Sequence, residues 1–145
     1  MVTIMSNPAY DECYYESMVQ KNRYLFKLIA RNTDHPFQVM EDYMKSNDRR
    51  NMDLGNPLYL NKTPKQILGS LGIKINPSSK ISDQYDEFIL EWMADIYTYM
   101  QWKNNLMSKD IVEKIKPQEL YKKYSPLHEA SISNGVDKLR KIYGI

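Results

Sequence analysis

The 145-residue chain carries 20 basic and 18 acidic side chains, a formal net charge of +2, with one cysteine and five glycines. That length fits one domain able to bury a core without metals or disulfides. A single cysteine excludes an internal disulfide framework and fits a reducing compartment, so small charge and thiol usage point to a cytoplasmic, non-membrane protein. The first residues, Met1 to Met5, run straight into Ser6-Asn7 and are too short for a signal-peptide apolar segment.

The pattern along the chain is helical throughout, and residues 1–7 read as a tail before a single helical domain spanning 1–145. Proline at the first helical position, behind a capping Ser, Thr or Asn, marks helix starts at Asn7-Pro8, Thr63-Pro64 and Ser125-Pro126. Helix one is expected from Pro8 to Arg31, with Tyr14, Met18, Leu25, Leu28 and Ile29 on its inner side. Helix two runs from Pro36 to Ser46 on Phe37, Met40, Tyr43 and Met44. A polar loop follows through Arg49, Arg50 and Asp53 to Lys62, in which Asn56-Pro57 reads as a turn. Its stretch 51–64 is specific enough in composition to be either a functional loop or a lid on the core.

Thr63-Pro64-Lys65-Gln66 fits a capping box, opening a short helix to Leu71 that Gly72 ends. Asn76-Pro77-Ser78-Ser79 is a turn. Leu58-Tyr59-Leu60 and Ile73-Lys74-Ile75 are the two stretches that leave room for a minor β pairing. The longest apolar pattern covers residues 83–104. Tyr85, Phe88, Ile89, Trp92, Met93, Ile96, Tyr97 and Met100 occupy about half of its circumference. A face that wide needs neighbours on several sides, so this helix is expected at the centre. Ser108 to Ile115, Pro117 to Tyr124, and Pro126 to Tyr143 complete an all-α, irregular bundle of about seven helices.

The catalytic signatures are missing. There is no P-loop, dinucleotide fingerprint, His-Glu-x-x-His or Cys-x-x-Cys, and no metal or cofactor is implied. His35, beside Asp34 and Pro36, reads as a helix-boundary residue. His128, expected on the inward face of the last helix with Ile132 and Val136, is the one conceivable general base, with Glu129 or the acidic residues of helix four as its partner. Cys13 lies among acidic neighbours, which raise rather than lower a thiol's pKa.

Two charge stripes stand out. Asp83, Glu87, Glu91 and Asp95 recur every four residues on the central helix, and Arg23, Lys27 and Arg31 do so on helix one. They can pair with each other within the fold, pair between copies in a homo-oligomer, or meet separate partners. Because exposed ion pairs add little stability, the sequence favours a role in partner choice. Residues 108–145 carry eight basic and five acidic side chains, and the two short helices around Lys116-Pro117 imitate a helix-turn-helix offering Gln118, Lys122 and Lys123 to nucleic acid. The turn lacks the usual small residue, and Tyr121 and Tyr124 point inward by periodicity, so nucleic acid is the weaker reading. What remains foremost is a small module that binds another protein, of the antitoxin, immunity-protein, inhibitor or adaptor type. Its frequent Lys, Asn, Ile and Tyr resemble the composition of AT-rich bacterial or phage genomes.

Overall fold

The computed structural model describes residues 7–76 and 85–145. Among them are nine helices and no strand. They are α1 (Glu12–Asn32), α2 (Pro36–Met44), α3 (Asn47–Asp53), α4 (Pro57–Leu60), α5 (Pro64–Ser70), α6 (Glu87–Asn104), α7 (Ser108–Lys114), α8 (Pro117–Leu127) and α9 (Ile132–Tyr143). The all-α expectation holds. The N-terminal tail to Ser6, the Pro77-Ser78-Ser79 turn and Asp83 lie outside the described residues.

The centre is a pair of helices rather than one. α1 and α6 pack along each other in antiparallel fashion. α7, α8 and α9 close on α6, while α2 and α5 close on α1, with α2 reaching across to α8. Met18, Leu25, Phe26 and Ile29 of α1 face Met93, Ile96, Tyr97 and Met100 of α6 in one apolar core. Each such side chain contributes about 1.5–3 kcal/mol when fully buried. α6 is buried on nearly every side. Leu90, Ala94, Thr98, Gln101 and Trp102 are covered together with Trp92, Met93, Ile96, Tyr97 and Met100 of the predicted face, whereas Phe88, expected inside, is 75% exposed.

Several helix starts differ from the sequence reading, and each difference has a local cause. α1 begins behind Asp11, whose carboxylate accepts from the Cys13 backbone N–H at 3.0 Å, instead of at Pro8. α6 begins behind Asp86, which caps Phe88 in the same way, so Tyr85 and Asp86 precede the helix instead of belonging to it. Asn56-Pro57, read as a turn, is a working N-cap. Asn56 Oδ1 accepts from the Leu58 N–H, so Leu58-Tyr59-Leu60 is helical and takes no part in a β pairing. The polar loop before it holds α3, capped by Ser46. Met107, not Ser108, is the cap position of α7. Ser125-Pro126 does not open the last helix. α8 runs through it, kinked at Ser125, and α9 begins behind Ser131, whose hydroxyl accepts from Asn134 N. The α5 capping box is present in both directions.

Candidate functional site

The two charge stripes face one another. Antiparallel packing of α1 on α6 sets Arg23 opposite Asp95, Lys27 opposite Glu91 and Arg31 opposite Glu87. Arg23 donates through Nε and Nη2 to the two oxygens of Asp95 at 2.6 and 2.7 Å. Arg31 does the same to Glu87 at 2.7 Å for both bonds. The middle pair is looser, with Lys27 Nζ 3.8 Å from Glu91 Oε2. Six of the seven stripe residues are therefore brought together by the fold itself. A four-residue repeat on each of two antiparallel helices keeps step over about two turns, so the stripes form a three-rung ladder along the α1–α6 seam.

The ladder acts mainly on register. Glu87 is held below its ordinary pKa of 4.5 chiefly by the hydrogen bonds from Arg31. A depressed folded-state pKa means that its contribution is present above the unfolded value and lost as the pH falls through the folded one. The side chains are 36% and 41% exposed, so the pair contributes only about 0.2–1 kcal/mol after solvent screening. The expected result is a urea midpoint that declines between about pH 5 and pH 3, with a shallower decline in Glu87→Gln. An unchanged slope in that variant would show that other carboxylates carry it.

A second constellation was not legible beforehand. Arg49, on α3, is 1% exposed. Its Nε donates to Ser108 Oγ at 2.7 Å and lies 3.2 Å from Asp53 Oδ1, and its Nη1 donates to the Tyr43 hydroxyl at 3.3 Å. Asp53 in turn accepts from the Ser108 backbone N–H at 2.6 Å and from the Ser108 hydroxyl at 2.9 Å. It satisfies an orphan N–H of the α7 N-terminus from another helix. The Tyr43 hydroxyl donates to Asn22 Oδ1 at 2.7 Å, and Asn22 donates to Thr98 Oγ1 at 2.8 Å, so the network runs on from α3 through α2 and α1 to α6. Burial pushes the Asp53 carboxyl up, against the opposing pull of Arg49. Burial acts to lower the Arg49 guanidinium, but Tyr43 and Asp53 outweigh it and the net shift is upward. Arg49 Nη2 is buried without a hydrogen-bond partner. Nearby Lys21 donates to the Leu60 carbonyl, and burial, then the Arg49 charge, bring its amine down to about 8.

Over this network lies a pocket of about 300 Å³ between the α2–α3 corner and the start of α7. Its lining includes Lys45, Asn47, Arg50, Asp53 and Lys109. Chain segments 44–53 and 107–109 meet there, so no sequence window contains the site.

The remaining predicted residues are scattered. His128 is not on the α9 face with Ile132 and Val136. It caps the end of α8, exposed, with its Nδ1 2.8 Å from the Tyr124 carbonyl and its ring stacked on Tyr124 at 4.2 Å. Since a carbonyl only accepts, Nδ1 carries the proton. Glu91 and Asp95, two of the acidic partners expected for His128, are held by α1, and Glu129 beside it is exposed. His35 sits at the α2 boundary as expected, but its side chain makes no cap bond and instead pairs with Asp34 at 2.7 Å. Cys13 is exposed, and its hydrogen bond to Asp11 raises its thiol pKa. On α8, Gln118 and Lys122 are exposed and Lys123 half-buried, with Lys122 4.0 Å from Glu119. Among the described residues no three of His, Cys, Asp and Glu gather as a metal site, and no helix is long and apolar enough to cross a membrane.

The segment 51–64, singled out by composition, contains the end of α3, all of α4 and the start of α5. Gly55 takes the left-handed φ of +76° that an L side chain resists, and a Cβ there would meet Ala9 O and Tyr10 Cβ at 3.5 Å. On this fixed corner Leu54 is 62% exposed and Leu58 80% exposed. No family model matches the chain, and no curated protein or solved structure matches it.

Proposed function

We propose that the protein is an interaction module that acts by binding another protein, in the manner of an adaptor, inhibitor or antitoxin, and that the α3–α4 corner is its contact surface. The observation that carries this reading is the exposure of Leu54 and Leu58 on a corner that is itself rigid. Asn56 caps α4, Gly55 fixes the turn, and the buried Arg49 anchors α3 from below. Side chains offered on an ordered backbone bind without the cost of ordering a loop. The charge stripes, which the sequence made the first candidate for partner choice, have their charges matched across the α1–α6 seam. A partner therefore has to use another surface.

The test is quantitative affinity capture from the native host with wild type and with Leu54→Ser/Leu58→Ser. A stoichiometric protein retained by wild type and weakened at least about tenfold in the double variant is expected, since two leucines buried at an interface are worth several kcal/mol. The urea midpoint of the variant should match wild type, because neither side chain is buried in the fold. Equal capture by both proteins, capture of nothing, or recovery of nucleic acid alone would overturn the proposal. So would a homodimer that the same variant dissolves, which would give the surface to a second copy.

A further inference from the structure

The pocket above the Arg49 network has a charge balance that defines what can enter it. Lys45 Nζ lies 2.8 Å from both Glu41 and Glu113, so its charge is already shared. The Asp53 carboxylate is spent inward on Ser108 and Arg49. Arg50 and Lys109, which also line the pocket, have no acidic partner among the described residues. The uncompensated charge of the cavity is thus two cations.

We infer that this pocket binds a phosphate monoester group, held by Arg50 and Lys109 with Asn47 as a further donor. A dianion matches both cations, whereas a carboxylate leaves one unmet. The guanidinium fork suits bidentate contact with a phosphate, and an ammonium adds a point charge. Asn47 Oδ1 accepts from Asn51 Nδ2 at 3.3 Å, which leaves the Asn47 amide hydrogens to donate. A cavity near 300 Å³ is at the lower end for ligand sites, so it admits the phosphate and a short stem rather than a whole cofactor. The Met44 and Met107 side chains supply adaptable apolar walls for that stem. Behind the pocket, the buried Arg49 guanidinium keeps its Nη2 without a hydrogen-bond partner. The inference uses residues other than Leu54 and Leu58 and stands independently of the proposed protein partner.

The experiment is a two-dimensional amide NMR titration of the full chain at constant ionic strength. The probes are inorganic phosphate, a short phosphoserine peptide and the same peptide with glutamate in place of phosphoserine. Saturable shifts at Asn47, Arg50 and Lys109 are expected, weakened at least tenfold in Arg50→Glu and Lys109→Glu and unaffected in Lys122→Glu. Saturation by both inorganic phosphate and the phosphopeptide assigns the site to a small phosphorylated molecule. Saturation by the phosphopeptide alone assigns it to a modified side chain. The inference is overturned if neither phosphate probe saturates, if the glutamate peptide binds equally well, or if the shifts spread evenly to Lys122 and Lys138.

Discussion

Replacing Arg49 by Met is expected to lower the free energy of unfolding by about 3–5 kcal/mol, the cost of leaving one member of a buried ion pair alone. The guanidinium is 1% exposed and touches Ser108, Asp53 and Tyr43. Without it, the Asp53 carboxylate stays buried with only the two Ser108 donors. Burial already raises the Asp53 pKa, and Arg49 is the largest of the groups that oppose that rise, ahead of the Ser108 hydrogen bonds. In the variant the carboxyl therefore moves further up. A folded-state pKa above the unfolded one makes the folded state bind more protons, so the variant should gain stability relative to wild type as the pH falls from about 7 to about 5. This is the opposite sign to the Glu87 effect. Arg49→Met/Asp53→Asn removes the stranded charge while leaving an amide oxygen for the Ser108 N–H, and should recover more than half of the loss. Urea unfolding of the three proteins at two pH values measures all of this. A single variant within about 1 kcal/mol of wild type would show that the network does not hold α3 to α7.

What the sequence disclosed and what it hid follow from how far apart the interacting groups lie. The α5 start was readable because Thr63, Pro64 and Gln66 complete their bonds within one turn. The same cap-and-proline signature stands at Asn7-Pro8, Asn56-Pro57 and Ser125-Pro126. Only the middle one opens a helix, because Asp11 and Ser131 offer competing caps a few residues later. Local chemistry proposes a start, and packing selects among the proposals. The charge stripes were plain from their period, but their mutual pairing depended on the antiparallel placement of α1 on α6, which no single helix encodes. Phe88 followed the apolar period and still faces outward, while its neighbours at the start of α6 are taken up by other elements, Glu87 by Arg31 of α1 and the Asp86 N–H by Tyr121 of α8.

The pocket was less accessible still. Arg49, Arg50 and Asp53 were read as one polar loop, because hydropathy treats every arginine as a surface residue. Their fates diverge by one position. Arg49 and Asp53 turn into the core as an i, i+4 pair, while Arg50 turns out to solvent. The signal available in advance was that spacing, Arg49 to Asp53, together with a capping Ser46 that makes the segment helical. The contribution of Ser108 and Lys109, nearly sixty residues further along, required the fold.

A comparable dependence on the fold governs the second large effect, at the contact between α6 and α9. Ile96→Ala is expected to cost about 2–5 kcal/mol, since Ile96 is fully buried in the main core and its truncation leaves a cavity that the neighbouring helices cannot wholly close. α9 approaches this side chain through Gly135, whose added Cβ would stand 3.4 Å from Ile96 Cδ1 and 4.0 Å from Leu127 O. Gly135 is helical and its φ is not positive, so alanine meets no backbone strain there. Gly135→Ala alone should stabilise α9 by a few tenths to about 1 kcal/mol through helix propensity, the flexible Ile96 methyl yielding slightly. In Ile96→Ala/Gly135→Ala the new methyl enters the space that Ile96 vacates. The double variant should therefore be more stable than the two single effects add up to, by about 0.5 kcal/mol or more. Thermal and urea unfolding of the four proteins give that coupling directly. Strict additivity would mean that α9 does not rest on Ile96, and that the close approach permitted by Gly135 serves something other than packing.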